Sequence, residues 1–278
     1  MSTQQLTFSI QPVIPFRDIL IAELVELGFD GFEELEHGLI AYRSPSDEPF
    51  DLLQLQVAQL SEVQIQVEQA SLEEVNWNSA WESQFQPIQI SADCTIRAPF
   101  HHGVEVGRWD VVIEPKMSFG TGHHATTFLM CQALLNAPPA SQIVLDMGCG
   151  TGVLAILARL LGALEVDAID IDPWSYENTI ENVQRNQVQN ICTIQGGAEA
   201  IPDKKYDLIL ANINRNILLA DMDKYVSKLN RGGGLWLSGF FSSDVEALNQ
   251  LAQSLGLNKS SEKQRGEWCL LQYNKAQQ

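Results

Sequence analysis

Leu6, Phe8 and Ile10 alternate with polar residues, which predicts a strand with one face turned inward. Pro15 then stands where a first helical turn belongs, and Ile19, Leu20, Leu24 and Leu27 recur at helical spacing until Gly28 ends the run. Phe32–Glu36 and Leu39–Arg43 flank His37-Gly38 as the arms of a hairpin. Beyond the break at Ser44-Pro45-Ser46-Asp47, Phe50, Leu53, Val57 and Leu60 predict a second helix, and Val63, Ile65 and Val67 alternate again. Strand, helix, hairpin, helix, strand is the order of a ferredoxin-like unit. Roughly Ser71 to His102 reads as a connecting stretch, with Trp77 and Trp81 one helical turn apart as a local hydrophobic contact.

From Trp109 the pattern changes. A short strand over Trp109–Glu114 leads into the glycine-rich run Phe119-Gly120-Thr121-Gly122-His123-His124-Ala125-Thr126-Thr127. Continuous apolar runs then alternate with amphipathic ones, the mark of a parallel sheet covered on both faces. Strands are predicted at Ile143–Asp146, Glu165–Asp170, Ile191–Gln195, Tyr206–Asn212, Leu235–Gly239 and Glu267–Tyr273, with a weakly marked one near Leu257–Lys263. Helices are predicted at Thr126–Leu135, Gly152–Gly162, Ser175–Asn186, Asn216–Leu229 and Asp244–Leu255.

The richest local signal is Val144-Leu145-Asp146-Met147-Gly148-Cys149-Gly150-Thr151-Gly152. A buried strand stops in a tight glycine loop and a helix starts directly after it, an arrangement that brings backbone N–H groups and a helix N-terminus close to a ligand. The dinucleotide fingerprint asks for a third glycine at the next position, where this chain has Val153. Twenty-two residues after Gly148 the next strand ends in Asp170-Ile171-Asp172-Pro173. A carboxylate at that strand tip accepts hydrogen bonds from ribose hydroxyls in nucleotide-binding sheets. Asp170 takes that place, and Asp172 is expected to cap the following helix. Asn212 closes the fourth strand, where the carboxyl ends of strands one, two and four converge. Glycine loop, preceding Asp and acidic strand tip together point to S-adenosylmethionine.

These residues resemble the class I S-adenosylmethionine-dependent methyltransferases. Phe119-Gly120-Thr121-Gly122-His123-His124-Ala125-Thr126-Thr127 is similar to the F-G-T-G-x-H-x-T-T element of the ribosomal protein L-eleven methyltransferase family, with further matches at Ala211-Asn212-Ile213, Leu237-Ser238-Gly239 and Gly266-Glu267-Trp268. The resemblance covers nearly the whole chain, in motif from about Trp77 and in element order before it. It implies methyl transfer to lysine and N-terminal amino groups of a large-subunit ribosomal protein. By motif position it assigns cofactor contacts to Thr127, Gly148, Asp170 and Asn212, and Gly150 joins them from the loop. Asn214-Arg215 depart from the family's apolar and small residues. The implied fold is α/β: a Rossmann-like seven-stranded methyltransferase sheet preceded by a smaller ferredoxin-like α+β domain. The boundaries are 1–70 for recognition, 71–102 for the linker and 103–278 for catalysis.

Composition narrows the function classes. The 278 residues are 45% hydrophobic and 19% charged, ordinary for a globular chain. The longest apolar stretch, Val153–Val166, is broken by Arg159 and Glu165, and MSTQQLTFSI lacks the pattern of a secretory signal, so a cytoplasmic protein without a membrane partner is expected. Five cysteines without a C-x-x-C pair argue against a disulfide scaffold or a zinc site. The net charge is −18, and residues 1–90 hold fifteen acidic residues against Arg17 and Arg43 alone, a net of −13. Such a surface attracts a basic protein and repels phosphates, so direct nucleic-acid binding is not expected. A methyltransferase for another protein, RNA or a small molecule, and a nicotinamide-dependent oxidoreductase, are the competing readings. No side chain announces itself as a general base. His123 and His124 are candidates by type, more readily read as hydrogen-bonding loop residues.

Overall fold

Leu6, Phe8 and Ile10 form the buried face of β1 (Gln4–Gln11), which runs antiparallel to both β3 (Gly38–Arg43) and β4 (Gln64–Ser71). With β2 (Gly31–Leu35) the sheet order is β2-β3-β1-β4, and α1 (Phe16–Glu26) lays Phe16, Leu20 and Leu24 on its apolar face. This is the ferredoxin-like split βαβ arrangement. The computed structural model describes residues 4–43, 50–71, 85–116 and 118–277. The Ser44–Asp47 break and the Trp77/Trp81 contact fall outside them.

Two local expectations are revised. The hairpin pairs Leu35 with Gly38, so its tip is Glu36-His37 and Gly38 belongs to the strand. A Cβ at Gly38 would lie 1.8 Å from the Phe8 carbonyl oxygen, so glycine is what lets β3 pass β1. The second helix is replaced by two 3₁₀ turns, Leu52–Gln54 and Val57–Gln59. Leu53 is 74% exposed, while the fully buried pair is Leu55 and Val57, two residues apart and therefore not on one helical face. Borrowed caps hold the turns: Asp51 accepts from Leu53 N at 2.9 Å and Glu23 of α1 accepts from Val57 N at 3.1 Å.

Contacts divide the chain into two units, Met1–Phe85 and Gln86–Gln278. The stretch drawn as linker to residue 102 thus contains strands of the second unit. β5 (Ile88–Ser91), β6 (Cys94–Arg97) and β7 (Trp109–Val112) form a three-stranded sheet whose Ile90, Cys94, Ile96 and Val111 join its core.

The large sheet comprises β8 (Ile143–Met147), β9 (Glu165–Asp170), β10 (Ile191–Gln195), β11 (Tyr206–Asn212), β12 (Leu229–Phe241), β13 (Leu257–Arg265) and β14 (Trp268–Lys275), in the order β10-β9-β8-β11-β12-β14-β13. All neighbours are parallel except β14, which is antiparallel to β12 and β13. Helices α2 (Ala125–Asn136), α3 (Val153–Leu160), α4 (Pro173–Arg185), α5 (Arg215–Lys228) and α6 (Val245–Ser254) complete the unit. Val144, Leu208 and Leu210 point to one core with α2 and α3, whereas Leu145, Ile209 and Ala211 point to the other with α5 and α6. Burial on both faces is why these strands read as unbroken apolar runs. β8 is the switch point of the winding, so the carboxyl ends of β8, β9 and β11 open on one crevice. No described helix is long and apolar enough to cross a membrane.

Candidate active site

The glycine loop occupies that crevice. Gly148, Gly150 and Gly152 have φ of +71°, +58° and +77°, a region that side chains resist. Packing is as demanding as the dihedrals. A Cβ on Gly148 would lie 2.1 Å from Ile213 Cγ2, and one on Gly150 would lie 2.1 Å from the Phe119 carbonyl oxygen. These glycines are therefore imposed by neighbouring loops of the protein as well as by ligand space. Gly148 N and Cys149 N both donate to Ile169 O, at 2.8 and 3.0 Å. Just before the loop, fully buried Asp146 accepts from Ala155 N in the first turn of α3 at 3.0 Å, and its Oδ1 has no partner. Burial foremost, with Asp170 adding repulsion and the Ala155 N–H opposing, pushes its pKa up to about 7.

Asp170 and Asp172 divide their work. Asp170 Oδ2 accepts from Gly150 N at 2.8 Å and Oδ1 accepts from Asp172 N at 3.0 Å, so the β9 tip clasps the glycine loop. Each oxygen keeps a second lone pair for a ligand. Asp172 caps α4 by accepting from Trp174 N at 2.9 Å. On β11, Asn212 Nδ2 donates to Thr127 Oγ1 at 3.4 Å, and Asn212 Oδ1 is buried without a partner. Thr127 is fully buried and absent from the cavity wall, where Thr126 stands instead. Thr127 thus lies behind Asn212, one layer back from the wall. His124 caps α2, with Nδ1 accepting from Thr126 N at 3.4 Å and lying 2.8 Å from Thr126 Oγ1. His123 Nε2 lies 3.1 Å from Gln86 O. Burial lowers the pKa of both imidazoles and keeps them neutral at pH 7.

The crevice is a cavity of about 650 Å³, within the range of small-molecule sites. Gly148, Gly150, Asp170 and Asn212 line it together, with Met147, Ile171, Ala198, Ile213 and Ile217 as apolar walls. Asp170, Asp172, Glu199 and Asp221 face it against one cation, Lys224, which is itself paired with Asp221 at 2.7 Å. That balance favours a positively charged ligand. Phe119, His124 and Trp268 also line the cavity, in a row of rings that ends on Phe241 and that the sequence does not place together. Phe119 meets His124 at 5.1 Å, His124 meets Trp268 at 4.4 Å, and Trp268 meets Phe241 at 4.2 Å between centroids.

A second set of residues escaped the sequence reading. Asn178, Asn182 and Asn186 recur every four residues along α4 and its C-cap, and Thr179 joins them. Thr179 Oγ1 donates to Gly150 O at 2.9 Å and Asn182 Nδ2 to Thr151 O at 2.9 Å. From the same helix Asn182 Oδ1 accepts from Glu114 N at 2.9 Å, and Asn186 exchanges bonds of 2.8 and 2.7 Å with Val112 N and O. The i, i+4 spacing of buried amides was the available signal. Asn on a helix normally marks the solvent side, so this repeat does not read as a buried face.

The sheet order and the cavity beyond its strand ends are those of the Rossmann-like methyltransferases. A methyltransferase from Pyrococcus furiosus shares the fold, at 17% identity and TM-score 0.51 over 59% of this chain and 88% of its own. The model for ribosomal protein L11 methyltransferase (PrmA) matches residues 32–276. Ribosomal protein L11 methyltransferases from Porphyromonas gingivalis and Bacteroides fragilis are 45% and 40% identical, covering 92% and 97% of this chain and 90% and 98% of their own lengths. The crystal structure of a ribosomal protein L11 methylase from Lactobacillus delbrueckii subsp. bulgaricus, 28% identical, aligns with TM-score 0.64 over 69% of this chain and all of its own. The chain belongs to the ribosomal protein L11 methyltransferase family.

Proposed function

We propose that this protein transfers methyl groups from S-adenosylmethionine to lysine and N-terminal amino groups of ribosomal protein L11. The observation that carries the reading is the convergence of Gly148, Gly150, Asp170 and Asn212 on one acidic cavity, in a chain of this family. The residues fit the cofactor: Gly148 and Gly150 on the cavity wall, a strand-tip carboxylate with spare lone pairs, and an orphaned acceptor on Asn212. When bound, S-adenosylmethionine supplies an electrophilic methyl group on a sulfonium.

Gly148 and Gly150 leave the backbone bare beside the ligand, and Asp170 receives ribose hydroxyls with the lone pairs left over from Gly150 N and Asp172 N. The rest of the work is positioning the acceptor and removing water. A lysine of pKa about 10.4 is neutral in roughly one molecule in a few thousand at pH 7. The apolar faces of Phe119, Trp268 and Ile213 favour the neutral amine by desolvation. Asn212, held by Thr127, turns Oδ1 to an amine N–H and aims the nitrogen lone pair. His124, whose Nδ1 is engaged at the start of α2, serves as part of the wall, and the amine's proton leaves to water. The first unit, at net −13, captures the basic substrate protein.

The test is to incubate the purified protein with methyl-labelled cofactor and, separately, recombinant L11, total ribosomal protein and naked ribosomal RNA. Label on L11 is the expected result. Label on RNA, or none on L11 in either protein preparation, overturns the reading.

A further inference from the structure

Most cations of this acidic chain are answered by acids or rings. Arg17 pairs with Glu34, Arg97 with Asp110, Lys116 with Glu181, Arg185 with Glu114, Lys204 with Asp167, Lys228 with Asp203 and Lys259 with Glu262. Arg43, Arg108 and Arg265 lie over aromatic rings. Of the rest, Arg159 is held by the Gln189 and Leu164 carbonyls and Lys263 on β13 stands alone among the described residues, while three cations gather around one another. Lys205, Arg231 and Lys275 line a cavity of about 530 Å³, with Leu229, Asn230, Leu255, Gly256 and Ala276 completing the wall and no carboxylate among the lining residues.

The cavity lies where β11 and β12 begin and β14 ends, the edge of the sheet opposite the carboxyl ends that carry the active site. Part of the cluster has a structural duty. Lys205 Nζ donates to Ser227 O at 2.5 Å, and Lys275 Nζ donates to Val226 O and Leu229 O at 2.7 and 3.1 Å, which closes the C-terminus of α5. Helix capping does not account for Arg231, which is exposed and forms no hydrogen bond or ion pair among the described residues. Nor does it account for three like charges held together. Burial and the charges of Lys205 and Arg231 both lower the pKa of Lys275. Asn230, the polar neutral residue of the wall, gives Nδ2 to Asp207 Oδ1 at 2.7 Å, and Asp207 Oδ2 is taken by Ile143 N at 3.0 Å. That carboxylate is engaged on the protein's own backbone and amide.

We infer that the cavity between Lys205, Arg231 and Lys275 is a binding site for a phosphate-bearing ligand, remote from the active site. An anion there meets donors and charge left uncompensated: ammonium groups already fixed by carbonyls each keep further N–H donors, and the guanidinium of Arg231 offers a planar fork for two phosphate oxygens. Two sources share this chemistry, a free oligophosphate and the backbone of an RNA. In the second case a protein acidic elsewhere would touch RNA at one defined point only.

The experiment uses the full-length protein labelled with ¹⁵N, with amide shifts followed during titration by inorganic pyrophosphate at constant ionic strength. Saturable shifts confined to Asn230–Gly234 and Lys275–Ala276 are expected, and Arg231→Gln weakens the affinity at least tenfold while the spectrum away from the cavity is unchanged. A short RNA hairpin forms the second arm: displacement of the same amides, lost in Arg231→Gln, makes RNA the source, and its failure alongside pyrophosphate binding leaves the free oligophosphate. Shifts spread over the surface, no saturation with either probe, or equal affinity in Arg231→Gln overturns the site. None of these outcomes depends on methyl transfer, so the proposed function stands or falls separately.

Discussion

Asp170 Oδ2 accepts the backbone N–H of Gly150 at 2.8 Å, so the acid that meets the ribose also holds the loop beneath it. Asp170→Ala therefore removes a charged acceptor from both at once. Cofactor affinity is expected to fall by about 2 kcal/mol or more, together with a lower melting temperature. Asp170→Asn keeps one acceptor oxygen and loses less of each. Asp172→Ala removes only a helix cap, about 1 kcal/mol of stability, with the smaller effect on binding. Calorimetric titration with S-adenosylmethionine ranks the three, and the assignment fails if Asp172→Ala binds worse than Asp170→Ala.

Gly148→Ala and Gly150→Ala differ in what their new methyl meets. At Gly148 the obstacle is the Ile213 side chain, at Gly150 the Phe119 backbone carbonyl. Both substitutions weaken cofactor binding and stability together, because both φ values are positive. Ile213→Ala added to Gly148→Ala recovers part of the stability. No single side-chain truncation recovers Gly150→Ala. Urea unfolding of the single and double variants checks this, and an equal rescue of the two would contradict the geometry.

We propose that Thr127 acts through Asn212. Thr127→Val removes the oxygen that Asn212 Nδ2 donates to, leaving the amide free to turn. The turnover number should drop by tenfold or more while the cofactor Kd changes less than threefold. Thr127→Ser keeps the acceptor and restores turnover. Comparable losses in Kd for Thr127→Val would instead make Thr127 a cofactor contact.

The pKa of Asp146, raised to about 7, has a definite sign in stability. A carboxyl that is harder to ionise folded than unfolded binds more protons in the native state between about pH 4 and 7. Its contribution to stability thus declines as pH rises through that window. The wild type should lose on the order of 3 kcal/mol relative to Asp146→Asn over that range. Denaturant unfolding of both proteins at pH 5 and 7.5 measures the difference, and parallel pH profiles would refute it.

Residues 86–278 carry two cores of their own, so the fragment is expected to fold and bind S-adenosylmethionine. Methylation of L11 should be lost with the first unit. In the full-length protein, salt should raise KM for L11 far more than for the cofactor. Undiminished L11 methylation by the fragment would remove the acidic unit from substrate capture.

What the sequence made legible follows burial. β9 and β11 match their sequence bounds to the residue because both faces are covered, and the glycine loop, Asp170 and Asn212 fall where expected because they sit at strand ends. The 50–60 segment was misread because Leu53 and Leu60 keep helical spacing while pointing to solvent, and only contacts with α1 decide which residues turn inward. β5 and β6, four residues each, carry too little pattern to stand out from a linker. The Thr127–Asn212 bond and the His124–Trp268 contact join residues 85 and 144 positions apart, a distance that local periodicity does not span.

The amides of α4 have a consequence in time as well as space. Asn182 holds Thr151 O with one end of its side chain and Glu114 N with the other, and Asn186 holds Val112. When a ligand quiets the glycine loop, the Val112–Glu114 segment loses freedom through the same helix. Slower hydrogen exchange should then spread from Gly150 to Val112 and Glu114, and Asn182→Ala should confine it to the loop.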